Sequence, residues 1–154
     1  MTECAIGIDL GGTKIKAGVI SALGEVLDTK EVPTAGSGDD IQEQILTLCS
    51  SLIHLWKPTR IGIGTPGLVA YPEGIILGCT PNLKSWEGRA LKQFFSTKMS
   101  LPVLVDNDAN MAAYGEWKSG SGKGFDDLVM LTLGTGLGSG SVLGGVLRRV
   151  HHFY

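Results

Sequence analysis

Five short segments combine residue types that phosphoryl and sugar chemistry need. Asp9, Gly11, Gly12, Thr13 and Lys14 form a turn with a carboxylate before it and a hydroxyl and a cation after it. Adjacent glycines let backbone N–H groups approach phosphate oxygens closely. Asp9 is placed to hold a hydrated Mg2+. A second glycine-rich turn, Gly134, Thr135, Gly136, Leu137, Gly138, Ser139, Gly140, lacks side chains at alternate positions, so a phosphate could rest on bare backbone. Either turn alone is equally an ordinary hairpin; together they offer a grip on one triphosphate from two sides. Asp106, Asn107, Asp108, Ala109 and Asn110 sit at a strand-to-helix junction. One such residue is usually a helix cap, but three exceed what a cap needs. A spare carboxylate there can take a proton from a hydroxyl during transfer to an alcohol. Gly64, Thr65, Pro66 and Gly67, and Pro81, Asn82 and Leu83 with Trp86 nearby, are loop segments with small polar groups suited to a sugar.

Two familiar phosphate loops do not fit. Gly12-Thr13-Lys14 reverses the Gly-Lys-Ser/Thr order of a Walker A loop, and a strand follows where a helix should start. The spacing of a dinucleotide-binding fingerprint is absent as well.

The elements that must carry these segments follow from periodicity. Residues 4–8 are an apolar run, Ile15, Ala17 and Val19 alternate with Lys16 and Gly18, and Val26 to Val32 is a more polar third strand. Tight glycine turns between them predict an antiparallel meander. Asp40 and Glu43 have capping-box spacing, and Ile41, Ile45, Leu48, Leu52 and Leu55 repeat at helical intervals until Pro58. Ile61 and Ile63 mark a strand, 87–98 a helix, Val103 and Val105 a strand, and Met111 to Trp117 a third helix. Ser119 to Gly124 reads as a linker by composition. Leu128 to Leu133 and Ser139 to Leu143 are two further strands around the second glycine turn.

Composition narrows the function classes. The 154 residues suit a single domain with a real core. Twenty-three glycines are roughly twice ordinary usage, but no collagen-like period accompanies them. A net charge of −2 without a basic stripe argues against nucleic acid as a partner. No apolar run approaches the ~20 residues of a membrane span, so no membrane partner is expected. Cys4, Cys49 and Cys79 are odd in number and widely spaced. That spacing predicts neither a disulfide framework nor a zinc site and suits a reduced, cytoplasmic protein.

Taken in order, Ile8 to Lys14, the 64–67 turn, Asn82 with Trp86, Asp106 to Asn110 with Gly115 and Glu116, and Gly134 to Gly140 resemble the ROK family. Its members are bacterial sugar kinases and sugar-responsive repressors within the actin/hexokinase-like ATPase superfamily. The resemblance implies an α/β, actin-like ATPase (ribonuclease H-like) lobe with a mixed sheet, three antiparallel strands followed by alternating helices and strands. It places that lobe at 1–118 and the start of a second, incomplete lobe at 119–154. It implies transfer of the ATP γ-phosphate to a hexose or N-acylhexosamine hydroxyl, with ATP and Mg2+ as cofactors. Asp108 matches the catalytic base and, with Asn107, Asn82 and the Gly64, Thr65, Pro66, Gly67 loop, the sugar site. Asp9, Gly11, Gly12, Thr13 and Lys14 match the first phosphate loop, with Asp9 near the metal, and Gly134, Thr135 and Gly136 match the second.

The departures are equally specific. The family's Gly-Glu-x-Gly-His sugar segment and its zinc cysteines have no counterpart after Gly145, where Arg148, Arg149, His151 and His152 stand instead. His151 and His152 are therefore expected to be a solvated tail. The chain is expected to be an N-terminal portion with little or no turnover alone. The alternative is a non-catalytic remnant, or a sugar-sensing relative without a DNA-binding domain. Association into a homo-oligomer is expected unless the apolar hairpin from Leu128 folds back on the first lobe.

Overall fold

The computed structural model describes residues 3–78, 83, 85–134 and 136–149. The chain divides into two compact units, Met1–Asp106 and Asn107–Tyr154.

The first unit is built on a five-stranded sheet. β1 (Cys4–Leu10), β2 (Lys14–Ser21) and β3 (Val26–Pro33) form the expected antiparallel meander. β4 (Ile61–Thr65) runs parallel to β1, and the sheet order is β3-β2-β1-β4-β7, with β7 spanning Val103–Asn107. Period-two alternation decides which face is covered. Ile6, Ile8 and Leu10 on β1, Ile15, Ala17 and Val19 on β2, and Ile61 and Ile63 on β4 are all buried in one core. That core also holds Ile41, Ile45, Leu48 and Leu52 of α1 (Gly38–Trp56) and Leu91 and Phe95 of α2 (Leu91–Met99).

Several boundaries differ from the sequence expectation. The capping box at the head of α1 is Ser37 with Asp40, not Asp40 with Glu43. The Ser37 hydroxyl accepts from the Asp40 N–H, and Asp40 accepts from the Ser37 N–H at 2.7 Å. Both pairs have the same spacing, so only the backbone entry point separates them. α2 begins at Leu91 rather than at 87, because Gly88 (φ +81) turns the chain before the helix. A two-stranded sheet of β5 (Leu68–Ala70) and β6 (Ile75–Gly78) was not foreseen; its strands are too short for periodicity to register.

The second unit packs α3 (Asp108–Ser119) on a three-stranded antiparallel sheet of order β10-β9-β8. These strands are β8 (Leu128–Leu133), β9 (Leu137–Leu143) and the unforeseen β10 (Val146–Arg148). Ala113, Val142 and Leu147 form its small core, with Trp117, Leu128 and Met130 against them. The expected linker at 119–124 is an ordered turn. Glu116 gathers it, its carbonyl accepting from Gly120 and Gly122 and its carboxylate from the Ser121 N–H. The packing break falls at Asp106, upstream of the lobe boundary that the resemblance implies, and α3 groups with the strands that follow it.

Strand for strand, β8-β9-β10 repeats β1-β2-β3, including a glycine-rich turn between the first two strands. Leu10 pairs with Ile15 across the first turn as Leu133 pairs with Leu137 across the second. In this register Val129, Leu131 and Leu133 match Ile6, Ile8 and Leu10. The former are 67%, 63% and 85% exposed, the latter 1%, 4% and 0%.

Candidate functional site

In the turn between β1 and β2 three carbonyls are engaged, and among the described residues two backbone donors are not. The Gly11 N–H donates to the Lys14 carbonyl at 2.9 Å, the Thr34 hydroxyl donates to the Gly11 carbonyl at 2.8 Å, and the Thr34 N–H donates to the Thr13 carbonyl at 2.9 Å. Among the described residues no hydrogen bond reaches the N–H of Gly12 or Thr13. With the Gly11, Thr13 and Lys14 carbonyls engaged and the Gly12 and Thr13 amides not, the tip of the turn presents two N–H groups, as an anion site requires. Gly12, Thr13 and Lys14 are exposed. The Lys14 ammonium meets Glu31 on β3 at 2.5 Å, and that contact lowers the Glu31 carboxyl below its ordinary value.

Strand register brings two of the sequence-chosen segments side by side. Asp9 lies directly opposite Gly64 in the parallel pair β1/β4, and opposite Lys16 on β2. The carboxylate of Asp9 is on the face away from the core and exposed. Among the described residues no three His, Cys, Asp or Glu side chains cluster as a metal site. Mg2+ needs no such cluster, since one carboxylate and the phosphates of a nucleotide often suffice with water. Asp9 beside the amide-lined turn fits that mode.

The 64–67 turn follows directly. Thr65 is wholly buried; its hydroxyl accepts from the Trp86 indole N–H at 2.9 Å and donates to the Pro66 carbonyl at 3.2 Å. Gly67 adopts φ +98, a conformation that glycine adopts without strain. Pro66 and Gly67 are half-buried. Asn82 and Thr135 lie outside the described residues, as do Pro81, Cys79, His151 and His152.

β7 starts beside β4, where the Ile61 N–H donates to the Pro102 carbonyl at 2.9 Å. Its penultimate residue, Asp106, is buried, and after Asn107 the chain passes straight into α3. Asn107 is the N-cap: its side-chain oxygen accepts from the N–H of Ala109 at 3.0 Å and of Asn110 at 3.2 Å. Asp108, half-buried, is the first helical residue, and its Oδ1 accepts from the Ala109 N–H at 2.8 Å. The N-cap is therefore the amide, and the Asp108 carboxylate beside it shares the Ala109 N–H. A carboxylate in the first turn also gains from the helix dipole.

The glycines of the second turn divide into two kinds. Gly134 and Gly136 are exposed, and a methyl group on either would meet nothing. A methyl on Gly140 would lie 2.6 Å from the Ala113 Cβ and 2.7 Å from the Ala109 carbonyl oxygen, and one on Gly138 would lie 3.1 Å from the Ala109 Cβ. The alternation read from the sequence as bare backbone for a phosphate is clearance for α3 at Gly140, and at Gly138 clearance first for the Thr132 side chain on β8 and then for α3.

The family model of the ROK family matches residues 5–152. The chain belongs to the ROK family. A glucokinase of Streptomyces coelicolor is 40% identical over 146 residues, which is 95% of this chain and 45% of that protein. The structure of a ROK glucokinase from Streptomyces griseus, in complex with glucose and AMPPNP, superposes with a TM-score of 0.90 at 39% identity. It covers 96% of this ROK chain and 47% of its own. A putative N-acetylmannosamine kinase from Listeria monocytogenes gives 0.81 at 33% identity, covering 96% and 50%. The ROK chain thus has the actin-like ATPase fold of these kinases and spans about half the length of the relatives it matches. No helix among the described residues is long and apolar enough to cross a membrane.

Proposed function

We propose that this ROK chain carries the first phosphate turn and the acceptor side of an ATP-dependent hexose kinase site. In this reading residues 1–118 are the N-terminal lobe, and 119–154 open a second lobe with the other phosphate turn. The observation that carries it is the head of α3, where Asn107 ends β7 as the N-cap and sets the Asp108 carboxylate in the first helical turn, at a strand end.

Asp108 then serves as the base that takes the proton of the hexose hydroxyl as its oxygen attacks the γ-phosphorus. Asn107, Asn82 and the turn of Gly64, Thr65, Pro66 and Gly67 hold the sugar, Thr65 through its backbone because its hydroxyl is buried. The free N–H groups of Gly12 and Thr13, with Gly11 and Lys14, receive phosphate oxygens, and Gly134, Thr135 and Gly136 do so from the second turn. Mg2+, when bound, neutralises phosphate charge. Asp9 would hold it through water. The register that sets Asp9 against Gly64 supports a phosphate end and a sugar end at adjacent strand termini. Glucose and N-acylhexosamines are the substrate class, by analogy with the named relatives, and the setting is the cytoplasm.

The half-length match favours weak or absent turnover by this chain alone. ADP formation from Mg-ATP with glucose or N-acetylmannosamine is expected to stay near background. Joined to the second half of the Streptomyces griseus glucokinase, the chain is expected to turn over. Asp108→Asn in that chimera should then lower kcat by about 10²–10⁴-fold while glucose binding persists. Ordinary turnover by the chain alone overturns the half-site reading. Full activity of the Asp108→Asn chimera overturns the assignment of the base. Glucose binding by an inactive chimera favours the sugar-sensing alternative.

A further inference from the structure

We propose that Trp86 is a positioning residue for the sugar-side turn 64–67, acting through the Thr65 hydroxyl. The indole ring and Thr65 are both 0% exposed. An indole N–H can only donate, so the Thr65 oxygen must accept, at 2.9 Å. The single proton of that hydroxyl is then committed to its other contact, the Pro66 carbonyl at 3.2 Å. Donor chemistry at residue 86 therefore orients the peptide unit that leads into Gly67.

Trp86 is itself fastened from behind. The Arg89 guanidinium lies 5.8 Å from the centre of the indole. It donates to the Asp39 carboxylate at 2.8 Å, to the Gln42 side-chain oxygen and to the Ser85 carbonyl. Asp39 and Gln42 belong to the first turns of α1, and Gln42 is buried. The turn after β4 is thus referenced to α1 as well as to its own strand. A Trp that only filled space would need its ring and not this chain of donors. The consequence for sugar affinity rests on the hexose reading; the positional coupling does not.

The test is hydrogen exchange at the 64–67 amides and glucose titration, both read by NMR on the 154-residue chain. Trp86→Phe keeps an aromatic ring and removes the donor; Thr65→Val removes the acceptor; Thr65→Ser keeps it. Loss of one buried hydrogen bond should speed exchange at these amides by about 10-fold, and weaken any glucose response by a similar factor. Thr65→Ser should keep the parent's exchange rates at these amides, and Trp86→Phe with Thr65→Val should exchange no faster than Thr65→Val alone. Unchanged exchange in Trp86→Phe, even with a lowered melting temperature, overturns the proposal. Additive effects in the double variant do the same. A parent chain without any glucose response sinks the hexose reading of this chain, while the exchange data still decide the role of Trp86.

Discussion

Individual side chains in the first unit show how burial and hydrogen bonding divide structural from chemical roles. Cys49 is buried in α1, and desolvation pushes its thiol up to about 12. A thiol held protonated is a poor nucleophile. Cys49 should therefore resist iodoacetamide in the folded chain at pH 8 and react fully in urea, as mass spectrometry of tryptic peptides would show. Rapid native labelling would mean that α1 opens. Thr65 and Asn107 teach the complementary lesson. Both have the side chains expected of sugar ligands, and each makes bonds that serve the backbone around it. The residue types were legible in the sequence. The capping partners of Asn107 are local, but the partner of Thr65 was not legible, because Trp86 is 21 positions away and no local pattern joins them.

Among the elements, α1 and α3 are held in different ways. Asp40 closes the α1 capping box, and its bonds to Ser37 lower its carboxyl below the ordinary 3.8. A carboxyl with a depressed folded value adds stability above its unfolded value and loses it as pH falls through the folded one. Stability should therefore decline as pH drops below about 4, and Asp40→Asn should flatten that part of the profile. Ser37→Ala should cost about 1 kcal/mol at neutral pH. Urea melts at several pH values measure both. α3 depends on clearance instead. Gly140→Ala places a methyl against Ala113 and the Ala109 carbonyl, so it should destabilise the second unit by about 1–3 kcal/mol. Gly136→Ala, with open space around it, should not. Equal effects at the two positions would overturn the division of the second glycine turn into packed and open halves.

For the whole molecule, the repeat of β1-β2-β3 in β8-β9-β10 exposes what the second unit lacks. α1 covers the inner face of β1 and β2, whereas Val129, Leu131, Leu133 and Leu137 remain open to solvent. β8 carries no charge or proline to protect its edge. The 16.2 kDa chain should therefore associate as concentration rises, and sedimentation velocity should show species heavier than the monomer. Val129→Lys with Leu131→Lys should suppress them. A monomer throughout the micromolar range, with no change on adding the two lysines, would contradict this.

The sequence by itself determined the meander, the three helices with the strands β4, β7, β8 and β9 between and after them, and the positions of both glycine turns, because strand alternation, helical spacing and turn chemistry are local. It also placed Asp9, Asp108 and the 64–67 turn at strand ends, where connectivity alone puts them. Only the tertiary structure decided that Ser37 rather than Asp40 caps α1, since two pairs had the same spacing and the entry of the chain selects one. It likewise set Asp9 beside Gly64, through a parallel register between strands 55 residues apart. Gly140 became clearance for α3 for the same reason: what a missing side chain makes room for depends on what packs against it.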